Sequence, residues 1–119
     1  MSTLPLTEDS FEQTVMQDGI VLVDFWASWC GPCRMFAPVY EKASAAHPDI
    51  VFGKVDTESQ QSLAAAAQIT SIPTLMAFKG GTLVFSQPGA LPAAGLEELI
   101  TAVRDLDVAA ALTEQQRSA

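Results

Sequence analysis

Residues 26–34, WASWCGPCR, contain both cysteines of the chain. Cys30 and Cys33 flank Gly31 and Pro32, and both tryptophans, Trp26 and Trp29, stand just ahead of them. Two thiols at this spacing can hold a metal, lock a small loop, or cycle between dithiol and disulfide. A closed zinc site wants four Cys, His or carboxylate ligands. The single histidine, His47, is fourteen residues beyond Cys33 on what reads as one helix, about 20 Å away at 1.5 Å per residue. A purely structural disulfide would close a loop of only two intervening residues, where loop-closure entropy gives the least return. The remaining chemistry is reversible thiol–disulfide exchange.

The residues around the pair suit that use. Cys30 falls at a strand-to-helix junction, where the first N–H groups lack partners and the helix dipole favours negative charge. A thiolate is stabilised there, so Cys30 reads as the nucleophile. Cys33, one turn on, faces the same side and can resolve a bond made to Cys30. Gly31 leaves room for a partner backbone. Pro32 forfeits no helical hydrogen bond, because first-turn donors are unpaired anyway. The motif predicts an exposed attacker and a more covered resolver.

The flanking sequence supplies the frame. IVLVDFWA is an apolar, β-branched run suited to a strand covered on both faces. Alternation puts Asp24 on one face with Leu22 and Trp26. A carboxylate there is poorly solvated, so its pKa should be raised, unless Asp24 is a surface acid at a strand end. PCRMFAPVYEKASAAH follows with helical spacing and an internal proline, Pro38. TEDSFEQTVMQD reads as a short helix capped by Thr7, DIVFGKVD as a strand with Lys54 and ESQQSLAAAAQ as a helix. PTLMAFKGGTLVFSQ is a hairpin turning at Gly80-Gly81, and LPAAGLEELITAVRDLDV a final amphipathic helix. The order is helix, strand, helix, strand, helix, hairpin, helix. A right-handed βαβ unit plus a hairpin gives an α/β fold, a mixed sheet with helices on both faces. One domain spanning 1–119 is expected, with 109–119 as a frayed tail.

Composition narrows the function classes. The 119 residues are 49% hydrophobic and 17% charged, with net charge −8 and scattered basic residues. Nucleic acid and anionic membrane surfaces are therefore poor partners. The first residues show neither a basic n-region nor an apolar core, and the apolar runs are too short to span a bilayer, which predicts a cytoplasmic protein. Thiols are kept reduced there, which favours catalytic use of the pair.

VDFWASWCGPC resembles the signature of the thioredoxin family, and the resemblance runs from about Leu6 to Leu106. SIPT (Ser71 to Thr74) is similar to that family's cis-proline loop and PGA (Pro88 to Ala90) to its substrate groove. The resemblance implies a thioredoxin fold and a general protein-disulfide reductase. It would bind no cofactor or metal, act as a monomer on disulfide-containing clients, and be recharged from NADPH by thioredoxin reductase. It makes Asp24 the proton acceptor for Cys33 and Lys54 its neighbouring modulator. It makes Trp29, Ile72, Pro73, Pro88 and Gly89 the client surface, with Pro73 in the cis form. The sequence departs from the family pattern at Arg34, where lysine is usual, and at Pro88, where a β-branched residue is frequent. An oxidase or isomerase, an iron–sulfur carrier, and a redox-inert binding subunit of the same fold remain as alternatives. Gly-Pro between the cysteines favours the reducing role.

Overall fold

The structure is a computed structural model describing residues 3–118. Five strands form one sheet in the order β1-β3-β2-β4-β5. They are β1 (Thr3–Pro5), β2 (Ile20–Trp26), β3 (Val51–Asp56), β4 (Thr74–Lys79) and β5 (Thr82–Pro88). β1, β3 and β2 run parallel, whereas β4 and β5 are antiparallel to their neighbours. The helices are α1 (Phe11–Val15), α2 (Gly31–Ala46), α3 (Gln61–Ala66), α4 (Ala93–Asp105) and α5 (Val108–Ser118). The mixed sheet with flanking helices agrees with the sequence expectation.

β2 is the central strand and is buried on both faces, as its unbroken apolar run requires. Leu22 joins Phe36, Tyr40, Phe52, Leu75, Leu96 and Ile100 under α2 and α4. Val21, Val23 and Phe25 turn to the other face, with Val15, Val55, Met76 and Phe78, against Phe11, Leu63 and Ile69. α2 passes through Pro38, which leaves the Arg34 carbonyl without its helical donor. Gly80 and Gly81 both have positive φ, the conformation demanded at both central positions of a two-residue hairpin turn.

Three elements differ from the sequence reading. β1 was not anticipated: it has three residues, includes Pro5, and exists by pairing with β3, followed by burial of Leu6. α1 starts at Phe11, not near Thr7. Residues 8–10 form a turn in which the Thr7 N–H donates to Ser10 Oγ (3.0 Å) and the Thr7 carbonyl accepts from the N–H groups of Ser10 and Phe11. The expected frayed tail is a helix, α5, whose first turn is held by Asp107 accepting from the Ala110 N–H (3.0 Å). Lys79 fixes the turn between the last two helices. Its Nζ donates to the carbonyls of Val103 (2.7 Å), Arg104 (2.8 Å) and Leu106 (2.8 Å), satisfying acceptors that a helix end leaves open.

Candidate active site

The C-terminal end of β2 delivers the cysteines. Ala27 to Trp29 leave the strand, and Cys30 becomes the N-cap of α2 in an extended conformation. Its Sγ accepts the Cys33 N–H at 3.2 Å, one of the donors a helix start leaves free. Cys30 and Cys33 are joined as a disulfide with Cα atoms 5.2 Å apart. Arg34, which stands where the family usually has lysine, donates from Nη1 to the Ser28 carbonyl (3.0 Å). It thereby ties α2 back to the loop carrying Trp29. In the disulfide form both residues are nearly buried, Cys30 at 4% and Cys33 at 3% exposure, packed with Ala27 against Trp26 and Ile72.

Two further segments close on this corner. The Ile72–Pro73 bond is cis. The Ile72 carbonyl oxygen lies 3.7 Å from Cys30 Sγ, a close contact and not a hydrogen bond, since a disulfide sulfur carries no proton. Thr74 Oγ1 donates to the Ser71 carbonyl at 2.6 Å and braces the loop. At the end of β5 the Gly89 N–H donates to the Pro73 carbonyl at 2.7 Å. Gly89 does so at φ +106°, where a side chain would be strained. This clip, which sequence reasoning did not find, joins the two loops expected to receive clients. Trp29 is 64% exposed beside them. A hollow of about 340 Å³ opens against it, lined by Thr57, Ala64, Ile69, Thr70 and Ile72 among others.

Asp24 lies behind the disulfide-bearing helix on the face shared with Leu22. It is 1% exposed, and neither carboxylate oxygen has a hydrogen-bond partner among the described residues. Burial pushes its pKa up to about 7, against the pull of the Lys54 charge. Lys54 stands opposite it in the β2–β3 register, with Nζ 4.8 Å from the centroid of the Trp26 ring. Asp24 is therefore not a surface acid, and Lys54 beside it is half-buried. Tyr40, fully buried on the same face, donates a hydrogen bond from its hydroxyl to the Gly53 carbonyl (2.8 Å). Its own pKa is raised by burial and secondarily by the Asp24 charge.

The family model described as Thioredoxin matches residues 2–102. The chain belongs to the thioredoxin family. It is 56% identical over 121 residues to putative thioredoxin 2 of Streptomyces coelicolor, covering 99% of this chain and 90% of that one. It is 44% identical over 97 residues to the thioredoxin of Alicyclobacillus acidocaldarius, covering 81% and 92%. Its fold is similar to that of Malassezia sympodialis thioredoxin, with TM-score 0.75 and 38% identity over 84% of this chain and 89% of that one. Oxidised thioredoxin from Plasmodium falciparum superposes with TM-score 0.76 at 35% identity, over 86% and 98%. As a member of this family, with a disulfide-forming Cys30–Cys33 pair, the chain is a protein-disulfide oxidoreductase. Among the described residues no helix is long and apolar enough to cross a membrane.

Proposed function

We propose that the chain is a general cytoplasmic disulfide reductase, active as a monomer, in which Cys30 attacks and Cys33 resolves. The observation that carries this reading is the position of the disulfide at the start of α2, with a backbone N–H aimed at Cys30 Sγ. In the reduced form, that donor and the helix dipole favour the Cys30 thiolate. The thiolate forms a bond to one client sulfur as the client disulfide breaks, and the second client sulfur leaves as a thiolate that takes up a proton. Cys33 then passes its proton to the Asp24 carboxylate and attacks Cys30 Sγ. The mixed disulfide breaks, the internal disulfide forms, and the remaining client sulfur leaves as a thiolate that takes up a proton from water while Asp24 returns its own to solvent, so the client departs with two thiols. Two electrons move to the client.

Asp24, with a pKa near neutrality, is suited to accept and release that proton, and Lys54 limits how far the pKa rises. Gly31 and Pro32 shape the turn between the sulfurs. Trp29, Ile72, Pro73, Pro88 and Gly89 receive the client as an extended segment, through backbone contacts that demand little of its sequence. The exchange runs on sulfur alone and needs no bound cofactor. Thioredoxin reductase returns the electrons from NADPH.

Insulin reduction coupled to NADPH oxidation through a thioredoxin reductase tests the function. Steady turnover supports it. Activity in a partner complex that survives Cys30→Ser would instead make the chain a redox-inert binding subunit. The assignment of the two sulfurs is tested separately. In the reduced protein at neutral pH, limiting iodoacetamide is expected to label Cys30 before Cys33, as read by peptide mass mapping. Preferential labelling of Cys33 would reverse their roles.

A further inference from the structure

Lys54 stands beside two carboxylates and pairs with neither. In the parallel register of β2 and β3, Asp24 lies opposite Lys54 and Trp26 opposite Asp56. Residues two apart on a strand share a face, so these four side chains leave the sheet on one side. Among the described residues the ion pairs are His47–Glu97 and Arg104–Asp49, and Lys54 belongs to neither. Asp24 has no hydrogen-bond partner, and Asp56 accepts from the Glu58 N–H (2.9 Å). The Lys54 ammonium lies instead 4.8 Å from the centre of the Trp26 ring. A ring face attracts a cation, more strongly where water is withdrawn, and both residues are half-buried.

Trp26 is fixed in place. It packs against the cluster of Ala27, Cys30 and Cys33, and its carbonyl accepts from the Thr57 N–H (2.9 Å) and Oγ1 (3.0 Å). The lysine stem is flexible and can carry its ammonium to a carboxylate once the ring is gone. No other cation competes for Asp24. On β4 its neighbour is Leu75, and Leu22, Phe36 and Leu96 on the same side of the sheet are apolar. From α2 come Tyr40, whose hydroxyl is committed to the Gly53 carbonyl, and Cys33, which has no proton in the disulfide.

We propose that Trp26 is a positioning residue that withholds the Lys54 ammonium from Asp24. Held over the ring, the charge acts on the carboxyl across space without a hydrogen bond to it. Asp24 then titrates near neutrality, where it can take a proton and give it back. A direct pair would hold it ionised and make it a poorer acceptor. This role matters to catalysis only if Asp24 is the proton acceptor for Cys33, as proposed above, so the test reads Asp24 directly.

The oxidised full chain, isotope-labelled in its aspartate carboxyls, is titrated by NMR. In the parent, the ring current of Trp26 should move the Lys54 ε-protons upfield. Trp26→Phe, with a smaller ring, should lower the Asp24 midpoint. Trp26→Leu, with none, should lower it further, by roughly one to two pH units. Lys54→Met alone should raise the midpoint, and in that background neither Trp26 substitution should lower it, because no ammonium is left to release. A fall that persists without Lys54 overturns the proposal, since water reaching Asp24 would then be its cause. So does a midpoint unchanged or raised in Trp26→Phe. Lys54 ε-protons at their ordinary position in the parent overturn it without any variant having to fold. In single-turnover reduction, the pH profile of the resolving step should move with the midpoint. A midpoint that falls while the profile stays supports the hold on Lys54 and removes Asp24 from the proton path.

Discussion

With Cys33 replaced by serine, the reduced protein is expected to react once with a client disulfide and remain bonded to it. Cys30 still forms the mixed disulfide, but no second sulfur is within reach to release it. Catalytic turnover should fall on the order of a thousandfold or more, the scale of losing an essential member of a covalent mechanism. The adduct should survive electrophoresis without reductant and disappear with it. Cys30→Ser should lose turnover equally and form no adduct, because its remaining sulfur, Cys33, lies inside the first turn of α2 and lacks the N-cap position and backbone N–H that stabilise a thiolate at Cys30. Equal trapping by both variants would mean that the sulfurs are interchangeable.

Asp24→Asn is expected to be more stable than the parent above neutral pH, yet slower in reduction. The folded carboxyl titrates at about 7 and the free one at 3.8. The folded state thus holds its proton longer than the unfolded state. The stability linked to this group is full below pH 3.8, declines as pH rises toward 7, and is gone above it. The shift corresponds to on the order of 4 kcal/mol across that window. Between pH 5 and pH 8, the advantage of the Asn variant in denaturant melts should widen by roughly 2–3 kcal/mol. Single-turnover reduction should slow at the resolving step, where Cys33 has lost its acceptor. A stability difference that does not change with pH, or an unchanged resolving rate, would remove Asp24 from the proposed chemistry.

What could be read from the sequence was what local pattern determines. The run through β2 announces a doubly covered strand because every position must be apolar, and Asp24 stands out there because it is not. The Gly-Gly hairpin and α2 likewise follow from neighbours within a few residues. β1 and α5 escaped because their partners are remote. β1 depends on Phe52 to Lys54, some fifty residues away, and its three residues carry no period. The stripe of α5 is too weak to specify a helix alone and gains meaning only beside Leu83 and Val84. The site divides in the same way. The cysteine pair is legible from chemistry and spacing. The bond from Gly89 to Pro73 joins residues sixteen apart through backbone atoms, which have no signature in residue type.

The tight cover over both sulfurs also shapes the kinetics. A bond with 4% and 3% of its two residues open to solvent has room for one incoming sulfur at a time. In the proposed exchange, electron donor and client meet the same disulfide, beside the exposed Trp29 and the Gly89–Pro73 clip. In steady state that exchange is expected to follow a double-displacement rate law, donor and client competing for one disulfide.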